Sequence, residues 1–196
     1  MKLPTNDIHF QKAAADGFYH QRKHLMMGLS EVRQWRTAID VGAHIGFMSV
    51  DLAKFFKRVV AFEPQPENFE CLQANVPDNV ECFDVALGKD IRKAGMYNPR
   101  FSNSGAWELI AGDAVCVYPL DSFGIEDVDF IKIDVQGYEM DVLQGAVTTL
   151  SRYQPTVLIE CPKGTDWEKG SDTMQFLMEL GARPIMKRNN DVVLRW

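Results

Sequence analysis

The chain has no apolar run approaching the ~20 residues of a bilayer span, and the segment after Met1 is polar and of mixed charge, without the apolar core of a secretory leader. A soluble, cytoplasmic protein that meets no membrane is the expectation. Cysteine is scarce and scattered. Cys71, Cys82, Cys116 and Cys161 form no Cys-x-x-Cys pair and no Cys/His cluster at zinc spacing, which excludes a structural zinc and leaves them as reduced, buried fillers. An excess of positive charge is missing too: the net charge is −6, and because residues 1–36 hold six Lys/Arg against three Asp/Glu, the remainder carries −9. An acidic body argues against phosphate-backbone binding, so no nucleic-acid partner is expected. There is no internal repeat or low-complexity tract. At 196 residues and 46% hydrophobic content, one core can be buried and length gives no reason to divide it.

What the chain does have is organised around residues 37–56, TAIDVGAHIGFMSVDLAKFF. An apolar run reaches Asp40, breaks at Gly42 and Gly46, and resumes at helical spacing through Phe47, Val50, Ala53 and Phe56. This is strand, glycine turn, helix. A positive φ or a close backbone approach suits Gly42, and free N–H groups at the new helix could receive a ligand's polar end, so a nucleotide-like cofactor is the first hypothesis. The spacing is Gly-x-x-x-Gly and lacks the Gly-x-Gly-x-x-Gly of dinucleotide binders. Alone, it reads equally well as a tight turn between packed elements.

Residues 1–36 read as an N-terminal helical cap, with Phe10, Ala13, Ala14, Phe18, Leu25, Met26 and Leu29 at three- and four-residue intervals, and residues 37–196 as the main α/β body of one compact domain. RVVAFE (58–63) is a second strand, and Pro66 opens a helix to Asn75. NVECFDVAL (79–87) alternates as a third strand. Residues 91–119 hold no helical pattern but carry SNSG between β-favouring pieces, a hairpin or extended excursion at the side of the sheet. VDFIKID (128–134) is a fourth strand, residues 140–150 one helix, and PTVLIE (155–160) a fifth strand. A helix over 172–180 is capped by Ser171 or Asp172 and stopped by Gly181, and the chain ends in a hairpin around Asn189, Asn190 and Asp191. Strands alternating with helices imply a mostly parallel sheet with helices on both faces, and the terminal hairpin adds an antiparallel strand.

Each parallel strand ends on or near a carboxylate: Asp40, Glu63, Asp84, Asp134 and Glu160. In an open α/β sheet those ends share one edge, where ligands bind. For a dinucleotide pyrophosphate, a carboxylate about 5 Å away costs about 3 kcal/mol per charge pair at an effective dielectric near 20. S-adenosylmethionine, with a sulfonium, an ammonium and two ribose hydroxyls, is favoured by the same edge. Glu63 stands where an acid takes both ribose hydroxyls, and Asp84 where one accepts from the adenine amine.

The set AIDVGAHIG, VVAFEPQPENF, DVALG, SNSG and above all IKIDVQGYEMDVLQGA followed by VLIE resembles the FkbM-type methyltransferases, over residues 37–161. The resemblance implies a Rossmann-like class I methyltransferase fold, S-adenosylmethionine as cofactor, and O-methylation of a hydroxyl on a sugar or other small-molecule or glycan acceptor. It assigns Asp40, Gly42, His44 and Gly46 to the methionine end, Glu63 with Pro64 and Asn68 to the ribose, Asp84 and Val85 to the adenine, and Asp134 to the neighbourhood of the methyl. The family's usual glutamate after Asp-Val is Gln136 here. If that glutamate supports turnover, Gln136→Glu should raise activity.

Methyl transfer to oxygen is an in-line displacement that releases a proton. Asp134 is the candidate base, with Glu160 or Glu139 raising its pKa, and Lys132 alternates onto the same strand face. A divalent ion on Asp134 with Glu160 or Glu139 is allowed by the residues but required by nothing in their spacing. Acceptor contacts are expected from Tyr19 and His20 in the head, from Tyr97, Asn103, Ser104 and Trp107 in the excursion, and from Gln136 and Glu139. Two rival readings remain at the level of sequence. One is a nicotinamide-dependent oxidoreductase, which the glycine spacing and acidic edge oppose. The other is a catalytically silent cofactor-binding protein, motivated by Gln136.

Overall fold

The computed structural model describes residues 1–5, 22–100, 103–161 and 171–196. Helix α1 (Arg22–Leu29) leads into β1 (Thr37–Val41), α2 (Phe47–Leu52), β2 (Arg58–Phe62), α3 (Pro66–Asn75) and β3 (Val80–Phe83). The short β4 (Ala86–Leu87) is followed by β5 (Arg92–Tyr97), the long β6 (Glu108–Tyr118), a 3-10 turn at Leu120–Phe123 and β7 (Val128–Ile133). Then come α4 (Glu139–Gln144), α5 (Val147–Tyr153), β8 (Thr156–Glu160), α6 (Asp172–Glu179), β9 (Arg183–Arg188) and β10 (Asp191–Arg195). The main sheet has the order β3-β2-β1-β7-β8-β10-β9, with the first five strands parallel and β10 antiparallel to both its neighbours. The order reverses beside β1, and the loops after β1 and β7 open side by side at that switch point. This is the mostly parallel α/β sheet with a terminal antiparallel hairpin that the sequence pattern calls for.

Period-two alternation sends each strand's side chains to two cores. Ile39, Val41, Val60, Phe62, Ile131, Ile133, Val157 and Ile159 pack under α4, α5 and α6 through Val142, Leu143, Leu150, Met174 and Leu177. Ala38, Val59, Phe130, Leu158 and Val193 face the other way, against Leu25 and Leu29 of α1 and Met48 and Leu52 of α2. Asp40 and Lys132 belong to this second face and are register partners on adjacent strands, so the pattern brings a buried acid opposite a buried amine. No helix among the described residues is long and apolar enough to cross a membrane.

Two elements differ from the sequence expectation. Residues 79–87 do not form one strand: the chain leaves the main sheet after Phe83, whose ring stacks on Phe62, and Ala86 and Leu87 pair with β6 in a separate three-stranded sheet with β5. Alternation fixes which way side chains point but not which sheet a strand joins. Residues 140–150 are two helices, interrupted at Gly145, where a Cβ would fall 2.0 Å from the Gly88 carbonyl oxygen. Asp121 starts the second helix, accepting from Thr148 N at 2.8 Å and Thr149 N at 2.9 Å. The α6 cap by Ser171 and its stop at Gly181 (φ +98°) are as expected.

Candidate active site

A cavity of about 560 Å³ opens at the switch point, walled by the loops after β1, β2, β7 and β8 and by the β5–β6 excursion. Its floor is the glycine turn. Gly42 is required there (φ +73°) because a Cβ would meet the Asp134 carbonyl oxygen at 2.0 Å, so the close approach is by the end of β7. Four of the turn's N–H groups are engaged within the fold. Gly42 N and Ala43 N donate to Phe62 O, His44 N to Glu63 Oε2 at 2.8 Å, and Gly46 N to Ala43 O. These four N–H groups are therefore spent within the fold, and the acceptor beside them is the Glu63 carboxylate.

Glu63 is buried just past β2. Burial pushes its carboxyl up, against the pull of donors from Gln65 N at 3.0 Å, His44 N and Asn68 Nδ2 at 3.4 Å. Asn68 Nδ2 also donates to Ser104 O at 2.9 Å, while Asn68 Oδ1 is buried without a hydrogen-bond partner among the described residues. The His44 ring, on a backbone with φ +53°, meets Ser104 Oγ. Two side chains of the glycine-turn corner thus pin the SNSG segment of the excursion over the cavity.

At the other end, Asp134 and Glu160 stand at the tips of neighbouring parallel strands, one step beyond the register pair Ile133 and Ile159. Burial and the adjacent Asp134 push Glu160 up to about 7. Gln136 Nε2 donates to Asp134 Oδ1 at 3.0 Å and to Glu160 Oε2 at 3.5 Å. Lys132 Nζ donates to Gly42 O at 2.6 Å and Val41 O at 3.2 Å and lies 3.2 Å from Asp40 Oδ1. Burial disfavours its charge, but Asp40 and Asp134 outweigh that and hold its pKa above the usual value. Asp40, whose other oxygen accepts from Ser49 Oγ at 2.6 Å, lies beneath the cavity and does not line it. Glu139 accepts from Gly137 N at 3.1 Å and so shapes the loop after β7.

Of the residues singled out by sequence, Gly42, His44, Glu63, Pro64, Asn68, Val85, Lys132, Asp134 and Glu160 line the cavity, as do Asn103, Ser104, Trp107, Gln136 and Glu139. Asp40 and Gly46 sit behind it, and Gly46 (φ +92°) packs against Leu72 and Val76. Asp84 is exposed beyond β3 and does not line the cavity, and Tyr97 is exposed at the end of β5. Tyr19 and His20 lie outside the described residues. Sequence reasoning missed Tyr138, Arg100 and Asn190 in the lining. Tyr138 lay within the most specific motif, whereas Asn190 read as a turn residue and only the β8–β10 pairing brings it to Glu160, at 3.5 Å. Among the described residues, no group of three or more His, Cys, Asp or Glu side chains is placed to hold a metal.

The model of the methyltransferase FkbM domain matches residues 40–184, most of the chain and all of the cavity's principal side chains. The chain belongs to the FkbM methyltransferase family. Among curated relatives, this FkbM chain is 26% identical over 177 residues to hexuronic acid methyltransferase AglP of Haloferax volcanii, covering 83% of this chain and 70% of that one. Among solved structures, an FkbM methyltransferase from Methylobacillus flagellatus superposes with a TM-score of 0.57 at 22% identity, over 85% of this chain but only 46% of that one. The FkbM chain therefore spans less than half the length of that solved relative. A precorrin-6y C5,15-methyltransferase from Geobacter metallireducens has a TM-score of 0.55 at 14% identity, with 91% and 89% covered. At these identities the structural matches show the Rossmann-like methyltransferase fold and nothing finer.

Proposed function

We propose that the protein is an S-adenosylmethionine-dependent O-methyltransferase that modifies a hydroxyl of a sugar or another small-molecule or glycan acceptor. The observation that carries this reading is the Asp134–Glu160 pair, with Glu160 pushed up to about 7, at one end of a cavity whose other end presents Glu63. The donor set fits the cofactor: a vicinal diol would find the two oxygens of Glu63, with the unspent Asn68 Oδ1 beside them. Two carboxyls at the switch point favour a cationic group there and oppose a pyrophosphate, which counts against a nicotinamide cofactor. The chemistry that cofactor supplies when bound is a methyl group whose bond to sulfur breaks, the electron pair staying on sulfur, as an acceptor oxygen bonds to the carbon.

The protein's own part is to orient and to take the proton. Asp134 and Glu160 accept the hydroxyl proton, and a midpoint near neutrality leaves a useful fraction of the pair able to do so. Gln136 holds the two carboxyls in one arrangement, and Lys132 fixes the glycine turn relative to β7. Ser104, Asn103 and Trp107 close the acceptor side. A sugar acceptor is supported by the likeness to AglP, whose name specifies a hexuronic acid. A cytoplasmic setting fits the four free thiols.

The test is calorimetric binding of S-adenosylmethionine and its demethylated product to the wild type and to Glu63→Ala, followed by transfer of labelled methyl to uronates and neutral sugars. Binding to the wild type with a loss of about a hundredfold in the variant supports the reading, since two charge-assisted hydrogen bonds are removed. A folded wild type that binds NADH and neither methyl-transfer ligand overturns it.

A further inference from the structure

Helix α1 lies on the sheet face that carries the catalytic carboxyls, yet none of its residues lines the cavity. It sits close because Gly28 faces the sheet: a Cβ there would meet Phe130 Cε2 at 3.0 Å and Leu158 Cβ at 3.5 Å. Leu25 and Leu29 pack in the same cluster as Leu158 and Val193, register partners on β8 and β10. Two residues along each of these strands, on the same face, stand Glu160 and Asp191, again register partners. His24, one turn before Gly28 on α1, reaches Asp191 through Nδ1, and Asn189 Nδ2 lies 3.5 Å from its Nε2. Both His24 and Asp191 are largely buried. Asp134, Glu160 and Asp191 thus form one row across β7, β8 and β10, with Lys132 at one end and His24 at the other.

We propose that His24 and Asp191 are a positioning pair that tunes the Asp134–Glu160 carboxyls, making α1 part of the machinery that prepares the proton acceptor. The functional consequence rests on the methyl-transfer reading above, but the coupling itself does not. An ionised Asp191 pushes Glu160 up, as Asp134 does. Burial raises Asp191's own carboxyl, and His24 opposes that rise. When protonated, His24 offsets the charge that Asp191 presents to Glu160, and Glu160 feels the remainder. Among the described residues, the other hydrogen-bonding groups at Glu160 are Gln136 in the loop after β7 and Asn190 at the start of β10. Lys132, on β7, acts on Asp191 only through its charge, and the charges of Glu139 and Lys187 act on the neighbouring Cys161.

The test is a carbon-13 NMR titration of the glutamate side-chain carboxyls in the full chain, with no ligand added. In the wild type, the Glu160 resonance should show an inflection beyond its own, one that His24→Gln removes. Asp191→Asn should lower the Glu160 midpoint by about one pH unit, the scale of a carboxylate pair several ångström apart at an effective dielectric of 20. His24→Gln should raise it, and should move it less when Asp191→Asn is already present, because the ring then lacks the carboxylate that favours its protonation. A role in packing alone would not give shifts of opposite sign. No such inflection in the wild type, or folded single variants whose midpoints stay put or move the same way, overturns the proposal. If the shifts appear but the wild type transfers no methyl group, the coupling stands and the methyl-transfer reading falls.

Discussion

Gln136 donates its side-chain amide to Asp134 Oδ1 across 3.0 Å, from a backbone held in the left-handed region at φ +53°. The same nitrogen lies 3.5 Å from Glu160 Oε2, so one neutral donor serves two carboxyls. The sequence alone suggested that, if this position is a defect, restoring the family's glutamate would raise activity. The geometry argues the opposite for this chain, because a third carboxylate would replace a donor with a repelling charge. Gln136→Glu should move the acidic limb of the pH–rate profile up by about one unit and cut turnover at pH 7 by about tenfold. Higher turnover at pH 7 with an unmoved limb would show that glutamate is the better residue.

Glu160 links activity and stability to pH in opposite senses. Its folded-state pKa of about 7 lies above that of an unfolded glutamate, so the native state binds the extra proton between roughly pH 4 and 7 and loses stability as pH rises through that window. Because the side chain is partly exposed, about 1–2 kcal/mol is the expected loss after screening. Glu160→Gln should flatten this dependence and be the more stable protein at pH 8, as read by urea midpoints at several pH values. Its methyl transfer should lack the rise through pH 7 expected of the wild type. A variant with the wild-type pH–rate limb would remove Glu160 from the proton-accepting pair.

Lys132 and Asp40 are a buried ion pair, and breaking one is expected to cost more than losing both. Lys132→Met leaves Asp40 without its counter-charge and Gly42 O without its donor, for an expected cost of about 3–5 kcal/mol. Asp40→Asn added to Lys132→Met should recover a substantial part. Chemical denaturation of the single and double variants measures the difference, and equal midpoints would count against a net electrostatic role.

Asp121 provides a contrast remote from the cavity. Its carboxylate accepts from Thr148 N, Thr149 N and Thr149 Oγ1 at the start of α5. Asp121→Ala should lower stability by about 1–2 kcal/mol with cofactor affinity unchanged. Loss of affinity at full stability would mean that the α4–α5 junction communicates with the site.

Legibility differed between residues for physical reasons. Glu63 and Asp134 were readable because a strand followed by a glycine or proline turn places its last side chain at the carboxyl edge of a parallel sheet. Asp40 obeys the same pattern yet is buried beneath the turn, since its register partner Lys132 draws it inward. The hairpin after β4 was visible in SNSG, but its fastening to Asn68 and His44 was not, because those contacts span 36 and 60 residues of sequence. His24 and Asp191 are 167 residues apart and carried no local signal at all.

The sequence by itself determined the periodicities, the glycine turn and the acids at the strand ends, and with them the α/β class, the family and the edge where chemistry belongs. These follow from local sterics and side-chain alternation, which act over a few residues. Only the tertiary structure decided which strands are neighbours, and hence which acids meet. The β7–β8–β10 pairing sets Asp134, Glu160 and Asp191 in one row, and burial then turns an ordinary glutamate into one that titrates near 7. Desolvation and charge proximity depend on what lies within a few ångström in space, and separation along the chain does not encode that.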